Sequence, residues 1–445
     1  MRQSLHLLIV DRGRGEALVT WHGARWLLPI LSVPERVRAG PLVLQWAAER
    51  RIPGQVIGQW LGRMAQTSDA VDWLTVFLAS SQDKRAATSV LSNLHWVPLA
   101  SLKLSTSWLA YQQWALARAL STAALPQVPG PFGTTTWIDE IQTWLDEVLH
   151  PRRARTSETI VPYRITAYEV VLQLRRADRF LYFKGFSPDK AAEAMIASNL
   201  SEIAPDSFPR TVALERKPDG TCWWLIEPCA GSVLARDLTC ERAVRVIAEY
   251  ARVQRRVTNY LRHGHQPLPL PTLELSPMAS WGTELLRETG EREECAWRRD
   301  AIQVACERVR EADVPHSCVS ADLDPANVIV DSDDVRFIDL DDCVLGPAPI
   351  AAATFARRTK RLGLSCGNGL YRSYVEAWEP PIEMHDRWCD FDVVSILVEC
   401  YLSWKRVVIK TGRGEIVDLL EPARGKLVQR LTEAVSGASG KSRSI

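Results

Sequence analysis

The sequence predicts an α+β chain in which an N-terminal α/β domain precedes a small β-rich domain and a larger helical one. Three observations predict it. At 445 residues the chain exceeds one ordinary domain, and each part is long enough to bury its own core. A Pro/Gly-rich segment, Pro126 to Gly133, marks a boundary. Beyond it, strand-like runs dominate from Tyr163 to Ile226, and helical periodicity dominates from Glu241 onward.

In the first part, residues 1–125, Leu5 to Val10 and Ala17 to Trp21 read as strands around the turn Asp11-Arg12-Gly13-Arg14-Gly15. Arg25 to Pro29 begins another strand. Pro41 to Arg51 is a helix stopped by Gly54, and Asp72 to Ala79 is again a strand. His95-Trp96-Val97-Pro98-Leu99 leads to a last helix through Trp108, Tyr111, Trp114 and Leu116. The tryptophans here read as core, because aromatic side chains bury large apolar area. This order of elements is similar to the Nudix hydrolase fold. A working Nudix helix carries several carboxylates for magnesium, whereas this one offers Glu49 beside Arg50 and Arg51. The expectation is therefore a Nudix-like domain without hydrolase activity, used for binding or docking.

Residues 126–156 read as a linker with one amphipathic helix, Trp137 to Val148, followed by the basic run Pro151 to Arg155. Residues 157–231 form the β-rich part. Tyr168 to Leu174 and Arg179 to Phe186 are strands, the second carrying Lys184 amid apolar neighbours, where a cation needs an anion or an exposed face. Pro188 to Leu200 is a helix with Glu193 in its first half. Pro209 to Ala213 and Cys222 to Glu227 continue the sheet, and Glu227-Pro228-Cys229-Ala230-Gly231 breaks it.

Residues 232–435 are mainly helical. Glu241 to Leu261 is long, with an arginine face at Arg252, Arg255, Arg256 and Arg262 that reads as solvated or docked on acidic side chains. His263 to Pro277 is a proline-rich connection, Glu284 to Arg310 is helical, and helices surround Tyr371 to Trp378 and Phe391 to Trp404. The tail at 436–445 is small and polar and is expected to be disordered.

One stretch interrupts the helices. Ser320 to Asp342 places Asp322 and Asn327 before a hairpin, Val328 to Val330 and Val335 to Ile338, with Asp339 and Asp341 after it. The turn aspartates, Asp331, Asp333 and Asp334, bond their local backbone. A hairpin flanked by these groups suits phosphoryl transfer, in which one carboxylate orients a hydroxyl while an amide oxygen and a second carboxylate hold magnesium on phosphates.

Asp322-x-x-x-x-Asn327 followed by Phe337-Ile338-Asp339 resembles the aminoglycoside phosphotransferase and choline kinase family, relatives of the protein kinases. The family's usual His-Gly before the aspartate is Ser320-Ala321 here, and Gly346-Pro347-Ala348 lacks the aspartate of its Gly-Asp-Pro-Ala. The resemblance implies a bilobal protein-kinase-like fold, with residues 157–231 as the N-lobe and hinge and 232–435 as the C-lobe. It implies ATP, or GTP, with Mg2+ as cofactors. It also implies roles: Asp322 orients the acceptor, Asn327 and Asp339 bind metal, Lys184 holds phosphates, and Glu193 places Lys184, with Glu202 as a substitute. Backbone at Ile226, Glu227, Cys229 and Ala230 contacts the base. The acceptor is a small molecule, a natural-product intermediate or a peptide. A kinase-fold scaffold or nucleotide sensor that has lost transfer stays open beside this reading.

Composition narrows the partners. A net charge of +1 speaks against a general nucleic-acid or anionic-membrane surface. The ten cysteines all follow position 221, and none lies in a Cys-x-x-Cys pair. Without an apolar run of about 18 residues to span a bilayer or a secretory start, the expectation is a reduced, cytoplasmic protein.

Overall fold

Continuous apolar strands set the N-terminal architecture in the computed structural model. The structure describes most of residues 3–98 and 131–441. The stretches 12–14, 23–24, 34–38, 63–70, 80–93, 99–130, 134–136, 150–158, 176–179, 289–295 and 413–419, the two chain ends and a few single positions lie outside the described residues. The expected helix through Trp108 to Leu116 and the basic run at Arg152 to Arg155 fall in those stretches.

The chain divides into two units, residues 1–191 with 212–227 and residues 192–211 with 228–445. In the first unit, strands β1 (Gln3–Asp11), β2 (Glu16–His22), β3 (Arg25–Leu27) and β4 (Ile30–Val33) precede helix α1 (Ala39–Glu49). Strands β5 (Gly54–Gly62), β6 (Val71–Ala79) and β7 (Leu94–Pro98) follow. They form a mixed sheet in the order β3-β2-β1-β6-β5, with β4 on β1 and β7 on β2. The pairing of β1 with β6 is parallel, as Leu5 opposite Trp73 and Leu8 opposite Val76 show. Parallel neighbours need a crossover, and the chain through α1 supplies it.

The same unit holds an antiparallel sheet of β8 (Thr159–Ile165), β9 (Glu169–Arg175), β10 (Phe180–Phe186), β11 (Thr211–Arg216) and β12 (Cys222–Ile226), in the order β11-β12-β10-β9-β8. Between the sheets in sequence lies α2 (Trp137–Leu149), whose acidic first turn, Asp139 and Glu140, complements the helix dipole. Of the stretch 126–156, read as a linker and helix, the described residues hold the short turn Pro131–Gly133 and α2. α2 buries Trp137, Ile141, Trp144 and Leu145 in one apolar core that also contains Leu7, Val43, Phe183 and Trp223. Trp144 meets Phe183 edge-on at 5.9 Å and Trp223 at 5.6 Å. The physical reason is area: an amphipathic face with two buried tryptophans is too apolar to serve as a solvated spacer.

The second unit begins with α3 (Ala192–Ile203) and continues through β13 (Ser232–Val233) into α4 (Cys240–Arg262), capped by Thr239, which accepts from Arg242 N–H. Helices α5 (Leu275–Glu288) and α6 (Ala296–Glu311) follow, and residues 289–295, within the helical stretch expected from Glu284 to Arg310, lie outside the described residues. Next come β14 (His316–Ser320), β15 (Val328–Asp331), β16 (Asp334–Phe337) and β17 (Cys343–Pro347). The unit closes with α7 (Pro349–Arg361), α8 (Gly369–Glu376), α9 (Trp388–Gly412) and α10 (Leu420–Lys441). α10 runs through Ser436, where an unstructured tail was expected.

Cys240 and Cys366 form a disulfide with their Cα atoms 5.3 Å apart, which differs from the expectation of reduced thiols throughout. The two cysteines lie 126 residues apart in the chain, so no local spacing announces the pair. Among the described residues, no helix is long and apolar enough to cross a membrane.

Candidate active site

The site grows from the end of β14. After Ser320 the chain turns so that Asp324 accepts from Ala326 N–H at 2.8 Å and caps a short 3-10 turn, Pro325 to Asn327. Pro325 at the first turn position favours that geometry. The turn folds Asn327 back over Asp322. Its Nδ2 donates to the Asp322 carbonyl at 3.1 Å and to Asp322 Oδ2 at 3.2 Å, leaving Asn327 Oδ1 as an acceptor. β15 and β16 form the hairpin expected from sequence, with Val328 opposite Phe337 and Asp331 opposite Asp334. Ile338 N–H then donates to Asn327 O at 3.0 Å, which brings the end of the hairpin beside its beginning.

Asp339 follows with φ +64°, a left-handed backbone that aspartate adopts more readily than most residues. Such a conformation costs about 1–3 kcal/mol and persists where the surroundings enforce it. It lies beside Glu193 of α3 and Asp341: one carboxylate oxygen from each of the three lies within 4.8 Å of the others. Asn327 and Asp339 were the metal ligands implied by the resemblance; Glu193, assigned there to Lys184, stands in this acidic group. Hard carboxylate and amide oxygens are the donor set magnesium prefers, so these residues fit that ion.

The strand that delivers Asp322 is gripped from α4 by residues spaced one turn apart. Gln254 Nε2 donates to Cys318 O at 2.7 Å and to Ala348 O at 3.1 Å, and Thr258 Oγ1 donates to His316 O at 3.0 Å. Tyr250 hydroxyl accepts from Ser320 N–H at 3.1 Å, and Gln254 Oε1 accepts from the Tyr374 hydroxyl at 2.7 Å. Where the family has His-Gly, Ser320 and Ala321 are buried, and Ala321 N–H donates to Asp342 O at 3.2 Å. Side chains from α4 therefore supply local support to this loop.

Burial pushes the Asp322 carboxyl above its ordinary range, opposed by Arg358, while Asp324 and Asp339 add to the rise. Arg358 Nη2 donates to Asp322 Oδ1 at 2.7 Å. Asp342 is pushed up to about 7 by burial and by Asp341, although Arg406 Nη2 lies 2.8 Å from its Oδ2.

Lys184 belongs to the other unit. It sits at the centre of β10, between Val171 and Trp224, with Nζ 5.5 Å from the Trp224 ring centroid and 5.8 Å from that of Phe186. Ile226 and Glu227 belong to that unit, and Cys229 and Ala230 belong to the second. At Gly231, φ is +102° and a Cβ would collide with Val330 O, which explains the glycine. Ser232 then pairs with Val330.

Residues 163–380 match the family model described as the phosphotransferase enzyme family. This segment belongs to that family of phosphotransferases. The phosphotransferase segment contains Lys184, Glu193, Asp322, Asn327 and Asp339. The fold of the described residues is mixed helix and sheet. The chain is similar to choline kinase LicA from Streptococcus pneumoniae, with 11% identity, TM-score 0.47, and coverage of 68% of this chain and 99% of that one. For the GDP complex of wild-type aminoglycoside 2'-phosphotransferase-IIIa the values are 12%, 0.47, 67% and 98%. For amicoumacin kinase hAmiN, solved with AMP-PNP, Ca2+ and Ami, they are 12%, 0.43, 66% and 96%. A search of curated proteins gives no match.

Sequence reasoning missed three features around this phosphotransferase segment. Buried Glu169 takes Lys190 Nζ at 2.7 Å and Arg164 Nη1 at 3.2 Å; burial raises its pKa, but these cations, with Lys184, hold it below the ordinary range. A glutamate opening an apolar strand was the available signal. The Tyr250-Gln254-Thr258 stripe was visible as polar residues four apart on an apolar helix face. Arg358 and its partner Glu399 left no local signal.

Proposed function

We propose that the chain transfers the γ-phosphoryl group of a nucleotide to a hydroxyl of a small molecule. The observation that carries this is the assembly of Asp322, Asn327 and Asp339 at one hairpin inside the phosphotransferase segment. In this reading Asp322 accepts the hydrogen bond of the acceptor hydroxyl and aims its oxygen at phosphorus. Lys184 holds nucleotide phosphates, and backbone at Ile226, Glu227, Cys229 and Ala230 takes the base of ATP or GTP. Asn327 Oδ1 and Asp339, joined by Glu193 or Asp341, would hold Mg2+. The ion when bound supplies charge neutralisation on the phosphates. The protein's own share is positioning, which accounts for most of the acceleration in such sites.

Replacing Asp322 by Asn tests the assignment: turnover of Mg·ATP or Mg·GTP with candidate alcohols should vanish while nucleotide affinity stays within about twofold. Undiminished turnover removes Asp322 from its role. A second reading, a nucleotide-binding scaffold without transfer, draws on Ser320-Ala321 and the aspartate absent between Gly346 and Pro347. Nucleotide affinity that does not depend on magnesium, together with no transfer, would favour it. The N-terminal sheet is proposed as a domain without hydrolase activity, because Glu49 at the end of α1 is already bonded to Gln45 and Arg50.

A further inference from the structure

Both carboxylate oxygens of Asp322 are held. Oδ2 accepts from Asn327 at 3.2 Å, and Oδ1 accepts from Arg358 Nη2 at 2.7 Å. The same Nη2, which carries two hydrogens, donates to Glu399 Oε1 at 2.7 Å, and Nη1 lies 3.4 Å from Asp324 Oδ2. Arg358 thus bridges the loop carboxylates to Glu399 on α9.

Glu399 is fixed independently. Arg357 Nη2 reaches its Oε2 at 2.7 Å while Arg357 Nη1 donates to Ser395 Oγ at 2.8 Å, and Arg430 of α10 donates to its Oε1. The Glu399 side chain is 6% exposed and that of Arg358 is 19%, so neither is free to swing into solvent. Three other arginines already neutralise Glu399, since Arg361 Nη1 also lies 3.8 Å from its Oε1. The reach of Arg358 to Asp322 is therefore more than the helix packing requires.

We infer that Arg358 is a positioning residue: tethered by Glu399, it locks the plane of the Asp322 carboxylate against the loop. The inference rests on the reading of Asp322 as the group that orients the acceptor. A carboxylate held at both oxygens keeps lone pairs for an incoming hydroxyl and loses the rotation that would misdirect it.

The test uses the full chain and Mg·ATP, following phosphate release to water alongside thermal melting. Arg358→Met should lower kcat about 100-fold, with KM for ATP changed by less than about twofold, because misplacement acts on the transition state. Arg358→Lys, which keeps the charge without the planar fork, should recover about tenfold of that loss. A kcat for Arg358→Met within about threefold of the parent, or equal deficits for Met and Lys, would overturn the inference. Should the Met variant not fold, Lys decides alone: about a tenfold deficit in kcat supports the inference and an unchanged kcat overturns it.

If the parent chain turns over no nucleotide, the proposed function fails on its own. The positioning link is then decided by urea midpoints of the parent, Asp322→Ala, Arg358→Met and the double variant. A smaller loss from Arg358→Met in the Asp322→Ala background upholds the link; an equal loss overturns it.

Discussion

Gly231 occupies a backbone conformation with φ +102° that few side chains tolerate, in a place where a Cβ meets the backbone of Val330. Gly231→Ala should therefore destabilise the protein by about 2 kcal/mol or more, read from urea denaturation. Asn327 offers a second residue-scale outcome. Asn327→Ala removes both the hold on Asp322 Oδ2 and the proposed ligand oxygen. Magnesium titration of turnover should show a weaker apparent affinity for the metal, by about tenfold or more. At this scale the hairpin group was readable because Asp322, Asn327 and Asp339 lie within one short stretch whose strand pattern is unambiguous. Arg358 and Glu399 were not, since an arginine on one helix and a glutamate on another carry no sign in sequence that they will meet. Glu193 had been assigned to Lys184, and its neighbours Asp339 and Asp341 could be seen only once α3 had been placed.

Helix α4 shows what an element adds. Its Tyr250, Gln254 and Thr258 satisfy polar groups along β14, and Gln254 alone serves two carbonyls. Gln254→Leu keeps the volume but leaves Cys318 O and Ala348 O without this partner. A cost of about 2–4 kcal/mol in stability is expected, since each buried group left unmade costs about 1–3 kcal/mol. Turnover should fall as well, because β14 carries Asp322. The extent of α4 was readable from its periodicity, whereas its polar stripe gained meaning only once β14 lay against it. The start of α3 lay further along than the pattern suggested: Ser187 bonds Asp189, and Lys190 N–H bonds Ser187 O, so a turn precedes the helix. That competition between turn and helix is decided by side-chain bonds of Ser and Asp to nearby backbone and to each other.

For the molecule as a whole, stability should depend on acid in a defined window. Burial alone would raise the Glu399 carboxyl, but Arg357, Arg358 and Arg430 outweigh it and hold the group below its ordinary 4.5. A folded value below the unfolded one gives stability that is fully present above the unfolded pKa and lost as pH falls through the folded one. Denaturation midpoints should thus fall as pH drops below the ordinary carboxylate range, and Glu399→Gln should flatten that part of the dependence. The core of the first unit makes a further demand. Trp144→Ala should cost about 3–5 kcal/mol, and a chain shortened to begin at residue 157 should be poorly folded, checked by near-UV circular dichroism. Many of the strands and helices could be read from sequence, but β5, β14, β17 and α7 were not, and the joining of two sheets through α2 could not be, because periodicity shows which face is apolar and not what will cover it.

The interleaving of the two units sets an order on biosynthesis. Residues 192–211 leave the ribosome before 212–227, yet the first unit needs the latter to supply β12 between β10 and β11. Until Ile226 has emerged, β10 and β11 lack the strand that joins them on the nascent chain, with Phe183 waiting for Trp223. Translation arrest before that point would leave an unpaired strand for chaperones to shield, whereas arrest after it would not.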